Sequence, residues 1–371
     1  MVHPGTDTPS DPRRHRARHT GPGPGTTRGA DGSDPARTPE PRAPTETAAA
    51  HRAPKNRGHD RKSRSGTVAG ATTVHGVIDV PAELAATQEK YNKEAGRAFI
   101  AALPDLTTSF LRRWNLRVTG TPMHGVSALV LPVDRADGTP AVLKLQIRDH
   151  ESEGEPTALR LWNGDGAVRL LDHDEPTGTM LLERLDASRM LAHRPDAHEG
   201  VLVIARLLAH LHTTPAPAGM RRLGDIARSM LERTPAALDR IPDPAARSLV
   251  ADCAAAVREV ADEPGDRLLH WDLHDENVLA ADRAPWLAID PKPLAGDPGF
   301  DLWPALANNF DADDIAWRFD AMTDVLALDR ARARAWTYGR VLQNCLWEVE
   351  EGRPLDEADL EIARRLRGRT A

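Results

Sequence analysis

The chain has 371 residues, of which 40% are hydrophobic and 28% charged, and its formal net charge is −7 at pH 7. Its two cysteines, Cys253 and Cys345, exclude a disulfide framework and a cysteine-rich metal cluster. No uninterrupted apolar run is long enough for a transmembrane helix, and no secretory signal pattern follows the N-terminus.

Residues 1–75 differ in composition from the rest of the chain. They are rich in Pro, Gly, Thr, Arg and Asp and contain hardly any large apolar residue. Such a segment cannot bury enough surface to offset its chain entropy. We predict a disordered basic tail, either a solvated extension or an over-long start of the reading frame; a nucleic-acid or partner-binding arm is the alternative.

The rest of the chain shows an ordered series of predicted elements. A helix over 97–113 is followed by strands over 116–146, a helix carrying Leu159 and Trp162, and strands over 168–172 and 179–184. Helices are then predicted over 201–212, 222–233 and 244–262, and almost throughout from 302 onward. This order predicts an α+β fold, with an N-terminal antiparallel sheet lobe and a larger helical C-terminal lobe.

The most informative segment is LLHWDLHDENVL, residues 268–279. It places Asp272 and Asn277 five positions apart, and Asp290 follows thirteen residues later at the end of an apolar run. In a kinase catalytic loop with this spacing, the first Asp accepts the proton of the attacking hydroxyl, and the Asn and second Asp hold Mg²⁺. Asp272 is therefore the predicted catalytic base, and Asn277 and Asp290 are the predicted metal ligands.

The residues between the two ligands predict a hairpin. Short apolar runs at 278–280 and 286–289 flank the turn-rich residues 281–285. The two ends of such a hairpin would deliver Asn277 and Asp290 to one edge. Two oxygen ligands suit Mg²⁺, which completes its octahedron with water and phosphate.

A zinc hydrolase is the competing interpretation of the same segment. His270, Asp272 and His274 alternate like metal ligands. However, no other His cluster or Cys pair stands at ligand spacing, and Asn277 and Asp290 would have no role. The kinase interpretation uses more of the residues.

Upstream segments can supply the nucleotide-binding parts of a kinase. Lys144 lies in the apolar strand PAVLKL, residues 140–145, which is comparable to the strand whose Lys holds the α- and β-phosphates of ATP. Glu155 opens the next predicted helix and is the expected ion-pair partner of Lys144. Glu151 and Glu153 are close enough to be alternatives.

Two further contacts with ATP are predicted. Gly125 and Ser127 precede a strand and lack full G-x-G-x-x-G spacing, but their backbone N–H groups could approach a phosphate. No G-x-x-x-x-G-K-[ST] motif occurs, which excludes a P-loop fold. Residues 183–185, Glu183 to Leu185, end a predicted strand at the crossing between lobes, where adenine would bind to the backbone.

The segments HWDLHDENVL and IDPKPLAGDPGFDLWPAL resemble the aminoglycoside/hydroxyurea resistance kinases, over residues 95–365. The resemblance implies the same roles for Lys144, Asp272, Asn277 and Asp290. It also implies that Asp301 braces the catalytic loop from the start of the next helix. Trp271, where broader kinase groups have Gly or Arg, fits this narrower family. No role follows for Asp297 or Lys292, and Lys292 is predicted to be a solvated loop residue rather than a phosphate ligand.

The resemblance implies a protein-kinase-like fold with a tail at 1–75, a nucleotide-binding lobe at 76–185 and a catalytic and substrate-binding lobe at 186–371. It implies an ATP- and Mg²⁺-dependent O-phosphotransferase acting on a cationic aminoglycoside-type antibiotic, with streptomycin as the first expected acceptor. Hydroxyurea or another hydroxyl compound is the alternative acceptor, and a catalytically silent binding protein is the alternative class. We expect a cytoplasmic monomer or weak dimer with no nucleic-acid or membrane partner.

Acceptor-binding residues are harder to assign. Carboxylates recognise guanidinium groups through bidentate hydrogen bonds, and Trp rings offer faces to cations. The candidates are Asp311, Asp313, Asp314, Glu348, Glu350, Glu351, Trp317, Trp336 and Trp347. Solvated helix faces and core tryptophans are the simpler interpretations of these residues.

Overall fold

The computed structural model describes residues 79–367. The predicted tail, residues 1–75, lies outside the described residues. Within them the predicted α+β class is confirmed, because helices and strands are mixed and each pair of neighbouring strands is antiparallel. None of the described helices is long and apolar enough to cross a membrane.

The elements follow the predicted order. The described helices are α1 (Ala82–Arg113), α2 (Glu155–Trp162), α3 (Ala197–Leu211), α4 (Leu223–Arg240), α5 (Pro244–Val260), α6 (Trp303–Ala307), α7 (Ile315–Val325), α8 (Arg330–Glu350) and α9 (Glu357–Leu366). The strands are β1 (Arg117–Val118), β2 (Met123–His124), β3 (Ala128–Asp134), β4 (Pro140–Gln146), β5 (Leu170–Asp174), β6 (Thr179–Glu183), β7 (Asp186–Met190), β8 (Arg267–Leu269), β9 (Val278–Ala280), β10 (Leu287–Ala288) and β11 (Leu294–Gly296). Short 3₁₀ turns lie at Leu191–His193, Asp275–Asn277 and Pro298–Asp301.

Helix α1 is longer than the helix predicted over 97–113. It begins at Ala82 and contains one non-helical residue, Lys93, at φ 48°. The part before Lys93 is mostly polar, so no apolar period reveals it. A tertiary contact holds it instead, since the Gln88 amide donates to the Val126 carbonyl at 3.0 Å.

The six-stranded sheet places Lys144. Its strand order is β1-β3-β4-β6-β5, with β2 paired to β3. Leu143 and Leu145 are buried in a cluster with Leu103 of α1. Side chains alternate between the faces of a strand, so Lys144 points to the face away from α1. In the ladder it lies opposite Val130 and Met180, at the centre of the sheet.

The helical part forms a separate and larger hydrophobic cluster. Helix α8 lies within it and buries Trp336, Leu342 and Leu346. Aspartate side chains accept backbone N–H groups at the start of α3, α5, α8 and α9, which satisfies otherwise unpaired donors. Helix α4 continues through Pro235, beyond the predicted end at residue 233. Cys253 and Cys345 are both buried.

Two small antiparallel ribbons form the scaffold of the site. Strands β9 and β10 make the predicted hairpin, with Val278 opposite Ala288, and β9 also pairs with β7. Strand β8 pairs with β11, with Leu269 opposite Leu294. The loop after β8 and the segment between β10 and β11 therefore run side by side.

Candidate active site

The loop that carries Asp272 follows β8 directly and is held in a strained conformation. Trp271 has a φ of 65°, which a non-glycine residue adopts when its surroundings impose it. The buried carboxylate of Asp301 accepts the backbone N–H of His270 at 2.8 Å and that of Trp271 at 2.6 Å. His212 Nε2 lies 2.8 Å from the same carboxylate. Asp301 therefore braces the catalytic loop, as the resemblance implied.

Replacing Asp301 with Ala removes these three contacts and leaves two buried backbone N–H groups unpaired. We expect the free energy of unfolding to fall by about 3 kcal/mol, as is typical when a buried charged acceptor is lost. Chemical denaturation measures the change. Asp282→Ala is the matched control, because Asp282 is exposed in the turn between β9 and β10. A loss as small as that of the control would contradict the bracing role.

Asp272 is partly buried in this loop. Burial raises the pKa of its carboxyl, while the charges of His274, Lys292 and Arg340 act in the opposite direction. Its backbone carbonyl accepts the side-chain amide of Asn277 at 2.9 Å, which closes the loop on itself. A carboxylate with a raised pKa is a stronger base, so its surroundings suit proton acceptance.

The surroundings of His270 argue against the zinc-hydrolase interpretation. Burial lowers its pKa to about 4, so the ring is neutral at pH 7. Nε2 donates to the Ile289 carbonyl at 3.1 Å, and Nδ1 accepts the backbone N–H of Asp272 at 3.4 Å. Both ring nitrogens are thus occupied. Within residues 79–367, no group of three or more His, Cys, Asp or Glu side chains is placed to hold a metal ion.

The hairpin brings the two predicted Mg²⁺ ligands to one edge. The Ile289 N–H donates to the Asn277 carbonyl at 3.0 Å. Because Ile289 directly precedes Asp290, this bond holds Asn277 close to Asp290 in the backbone. The Asn277 amide nitrogen is occupied by the Asp272 carbonyl and lies 3.2 Å from His274 Nε2. The amide oxygen is therefore the atom available to a cation. Asp290 has a φ of 57°, a second strained backbone position in the site.

The oxygen atoms of Asn277 and Asp290 fit Mg²⁺ rather than a metal with an all-protein cage. Mg²⁺ usually takes one or two carboxylates and keeps water and substrate phosphates as its other ligands. Burial would raise the pKa of Asp290, but the charges of Lys144 and Lys292 outweigh burial and lower that pKa well below its usual range. The carboxylate is therefore ionised at neutral pH and suited to a cation.

Lys144 is buried and joins two carboxylates. Its Nζ lies 2.7 and 2.8 Å from the two Glu155 oxygens and 2.5 Å from Asp290 Oδ1. Gln146 donates to Glu155 as well, at 3.0 Å. Burial raises the pKa of Glu155, against the opposing charge of Lys144. The structure therefore connects β4, α2 and the hairpin through one ammonium group.

The alternative partners of Lys144 lie elsewhere. Glu153 pairs with Arg148 at 3.1 Å on the surface. Glu151 is buried, and one of its oxygens lies 3.9 Å from Arg221. Glu155 is the partner of Lys144, as expected.

Gly125 and Ser127 lie in the turn between β2 and β3. Ala128 is opposite Gln146 in the ladder, so this turn lies beyond the Lys144 end of β4. The Gly125 N–H already donates to the Ala128 carbonyl at 3.0 Å. The hairpin turn therefore uses this N–H, and a phosphate contact by Gly125 stays a prediction. Ser127, which is buried, stays a candidate.

Glu183 and Leu185 lie at the crossing from the large sheet to β7. The Glu183 N–H donates to the Arg169 carbonyl at 2.9 Å, and its carboxylate accepts from Arg283 Nε at 2.7 Å. These contacts hold the crossing together. The Glu183 N–H is therefore occupied, and the adenine contact of residues 183–185 stays a prediction.

Two buried cations in the site were missed by sequence reasoning. Lys292 is 7% exposed, and its Nζ lies 3.3 Å from Asp290 Oδ1. The prediction of a solvated loop lysine is wrong, because the Lys292 N–H donates to the His270 carbonyl at 2.9 Å and draws the segment inward.

The second buried cation is Arg340 of α8, which lies 4.8 Å from the Trp271 ring. Its position on the core-facing side of an otherwise apolar stretch was the available signal.

The guanidinium group of Arg340 is poorly satisfied. Its Nε and Nη1 are buried and have no hydrogen-bond partner among the described residues. The ring of Trp303 lies 5.2 Å away and that of Trp347 lies 6.0 Å away, so aromatic faces partly replace hydrogen bonds. Burial lowers the pKa of Arg340 to about 10, which leaves it charged at pH 7.

Most of the predicted acceptor-binding residues have local partners. Asp313 pairs with Arg365, Asp314 with His198 and Arg318, Glu350 with Arg233, and Glu351 with Arg353, while Glu348 accepts the Asp356 N–H. Trp336 is fully buried, and the exposed Trp317 stacks on His198. Their placement favours structural roles for these residues, and the exposed Asp311 is distant in sequence from the catalytic loop.

Known proteins resemble this chain over most of its length. The model of the aminoglycoside/hydroxyurea antibiotic resistance kinase family matches residues 113–352. The chain is 58% identical over 299 residues to a hydroxyurea phosphotransferase of Kitasatospora aureofaciens, covering 80% of this chain and 88% of that protein. It is 55% identical over 302 residues to a streptomycin 6-kinase of Streptomyces glaucescens, covering 79% and 98%. It is 52% identical over 283 residues to a streptomycin 6-kinase of Streptomyces griseus, covering 74% and 92%. The chain therefore belongs to the aminoglycoside/hydroxyurea antibiotic resistance kinase family.

Proposed function

We propose that this kinase transfers the terminal phosphoryl group of ATP to a hydroxyl group of streptomycin. The observation that carries the proposal is the cluster in which Lys144 contacts Asp290 while Asn277, at the other end of the same hairpin, contacts the Asp272 loop. A base, two metal ligands and a phosphate-binding cation are thus joined in one network. Those are the parts that phosphoryl transfer requires.

Each residue has a distinct task in this proposal. Asp272 accepts the proton of the acceptor hydroxyl as its oxygen attacks the terminal phosphorus, and the bond from that phosphorus to the bridging oxygen breaks to release ADP. Lys144 neutralises the α- and β-phosphates, and Glu155 holds it in place. Asn277 and Asp290 would hold Mg²⁺, which neutralises charge on the phosphates.

Streptomycin is supported by two curated streptomycin 6-kinases, of which the chain covers 98% and 92%. Hydroxyurea is the second candidate, because a hydroxyurea phosphotransferase is 58% identical. A silent binding protein is disfavoured, since Lys144, Asp272, Asn277 and Asp290 are all present. Such a protein would be free to lose one of them.

A cleft beside the catalytic loop is the proposed acceptor site. Its volume is about 290 Å³, and its lining includes Asp196, Asp275 and Asn309. Asp275 lies three residues after Asp272 and accepts the Asn309 amide at 2.6 Å. Arg194 and Arg318 also line the cleft, so its two carboxylates are balanced by two guanidinium groups. The proposal that the acceptor binds here therefore rests on the position of Asp275 beside Asp272, and not on the charge of the lining.

The remaining assignments follow from the same proposal. Residues 76–185 would form the nucleotide-binding lobe, and residues 186–371 the catalytic and acceptor-binding lobe. The enzyme would act in the cytoplasm, where ATP is available, as a monomer or weak dimer without nucleic-acid or membrane partners.

The test is a panel of acceptors incubated with ATP and Mg²⁺: streptomycin, hydroxyurea and a 2-deoxystreptamine drug. We expect streptomycin to gain the mass of one phosphoryl group as ADP is released. Chelation of Mg²⁺ should abolish turnover, and added Mg²⁺ but not Zn²⁺ should restore it. Phosphorylation of hydroxyurea alone would support the phosphoryl-transfer reaction and would show that streptomycin is not the acceptor. Nucleotide binding without turnover on any acceptor would overturn the proposal.

A further inference from the structure

Lys292 is a buried lysine that the tasks assigned so far do not use. Burying an ammonium group is costly unless it is paired and hydrogen-bonded. Lys292 is 7% exposed, and its Nζ lies 3.3 Å from Asp290 Oδ1. The ammonium group is therefore enclosed beside a carboxylate of the active site.

The contact with Asp290 does not by itself account for Lys292. Asp290 Oδ1 already receives Lys144 at 2.5 Å, and Lys292 lies 3.3 Å from the same oxygen. The longer distance is at the weak end of the hydrogen-bond range. Two lysines therefore converge on one carboxylate oxygen, and Lys292 is the less well satisfied of the two.

A cation bound by Asp290 would change this arrangement. It would compete with both lysines for the carboxylate, and its positive charge would repel them. Phosphate oxygens would then replace the carboxylate as acceptors for the two ammonium groups.

The backbone around Lys292 limits where its ammonium can go. Its N–H donates to the His270 carbonyl at 2.9 Å, and Arg221 Nη2 donates to its carbonyl at 3.4 Å. The segment is thereby attached to the loop that carries Asp272. Lys144 is instead held on the sheet by the Glu155 carboxylate, which lies 2.7 and 2.8 Å from its Nζ.

We propose that Lys292 is a second phosphate-binding residue, which contacts the terminal phosphoryl group as it passes to the acceptor held by Asp272. This inference rests on the proposed function. The transfer itself is unchanged: the acceptor oxygen forms the new bond to phosphorus, the bridging bond to ADP breaks, and the proton goes to Asp272. Lys292 neutralises the charge that the transferred group carries during that step.

The proposal predicts different effects on nucleotide binding when Lys292 and Lys144 are replaced. Lys292→Met should weaken binding of a non-hydrolysable ATP analogue with Mg²⁺ roughly tenfold or more, and should change ADP binding little. Lys144→Met should weaken both. Calorimetry measures the affinities. Turnover of Lys292→Met should fall about 100-fold, as for other groups that stabilise transferred charge, with partial recovery in Lys292→Arg.

Lys90→Met is the matched control, since Lys90 lies exposed on α1. A thermal unfolding curve establishes whether each variant is folded, and Lys292→Gln serves in place of Lys292→Met where the latter does not fold. Equal losses for ADP and the ATP analogue, or wild-type binding of both, would overturn the role of Lys292. The binding comparison needs no acceptor. Failure of the wild-type enzyme to phosphorylate any acceptor would therefore count against the proposed function alone.

Discussion

Asp272→Asn is expected to lower kcat by about 10²- to 10⁴-fold while leaving the affinity for ATP with Mg²⁺ close to that of the wild-type enzyme. The amide has nearly the same shape but cannot accept the acceptor proton, and general-base catalysis contributes an effect of this size. The loop should survive the change, because Asn277 contacts the backbone carbonyl of residue 272 and Asp301 holds the residues before it. Steady-state ADP release and nucleotide calorimetry give the two quantities.

Glu276→Gln is the control for this substitution, because Glu276 is an exposed carboxylate in the same loop. Its turnover should match that of the wild-type enzyme. Retained turnover in Asp272→Asn would remove Asp272 from the base role.

The pH profile provides an independent check on Asp272. Since burial raises its pKa above the usual range, the base is lost by protonation as pH falls through that raised value. The kcat of the wild-type enzyme should therefore decline on the acidic side, beginning above the ordinary titration of an aspartate. In Asp272→Asn this decline should be absent from the residual rate.

Asp290→Asn should lower kcat/KM for ATP with Mg²⁺ by about 10²-fold or more and raise the Mg²⁺ concentration needed for half-maximal turnover. The substitution removes the only carboxylate of the proposed two-residue metal site, and it leaves Lys144 and Lys292 without their shared counter-charge. A Mg²⁺ titration of the initial rate, with calorimetry of nucleotide binding, measures both effects.

Asp282→Asn is the comparison for Asp290→Asn, because it makes the same chemical change in the exposed turn of the same hairpin. It should leave the Mg²⁺ dependence unchanged. An unaltered Mg²⁺ dependence in Asp290→Asn would show that Asp290 does not bind the metal.

The structure brings predicted site residues together where they are close in sequence. Asp272 and Asn277 occur within one loop. The hairpin that leads to Asp290 is predicted by two short apolar runs on either side of turn-forming residues. Lys144 and Glu155 are also close in sequence, because eight residues separate β4 from α2 and Glu155 is the first residue of α2. Local pattern was sufficient in each of these cases.

Other features depend on hydrogen-bond partners that a sequence pattern does not identify. The Gly125 N–H donates to the Ala128 carbonyl within its own turn, and the Gln88 side chain of α1 donates to the Val126 carbonyl before β3. Neither contact leaves a periodic trace in the sequence. A glycine in a turn predicts conformational freedom, but it does not predict which acceptor its N–H will meet.

The sequence alone determined the α+β class, the hairpin between Asn277 and Asp290 and the presence of Asp272 and Asn277 in one loop, because these features depend on local spacing and on the apolar period. Only the tertiary structure decided the electrostatic surroundings. Lys292 and Asp301 act through contacts with the loop at residues 270–272, and Arg340 approaches that loop from α8. Burial and charge pairing depend on which segments pack together. The residue type alone does not show whether a lysine is exposed or buried.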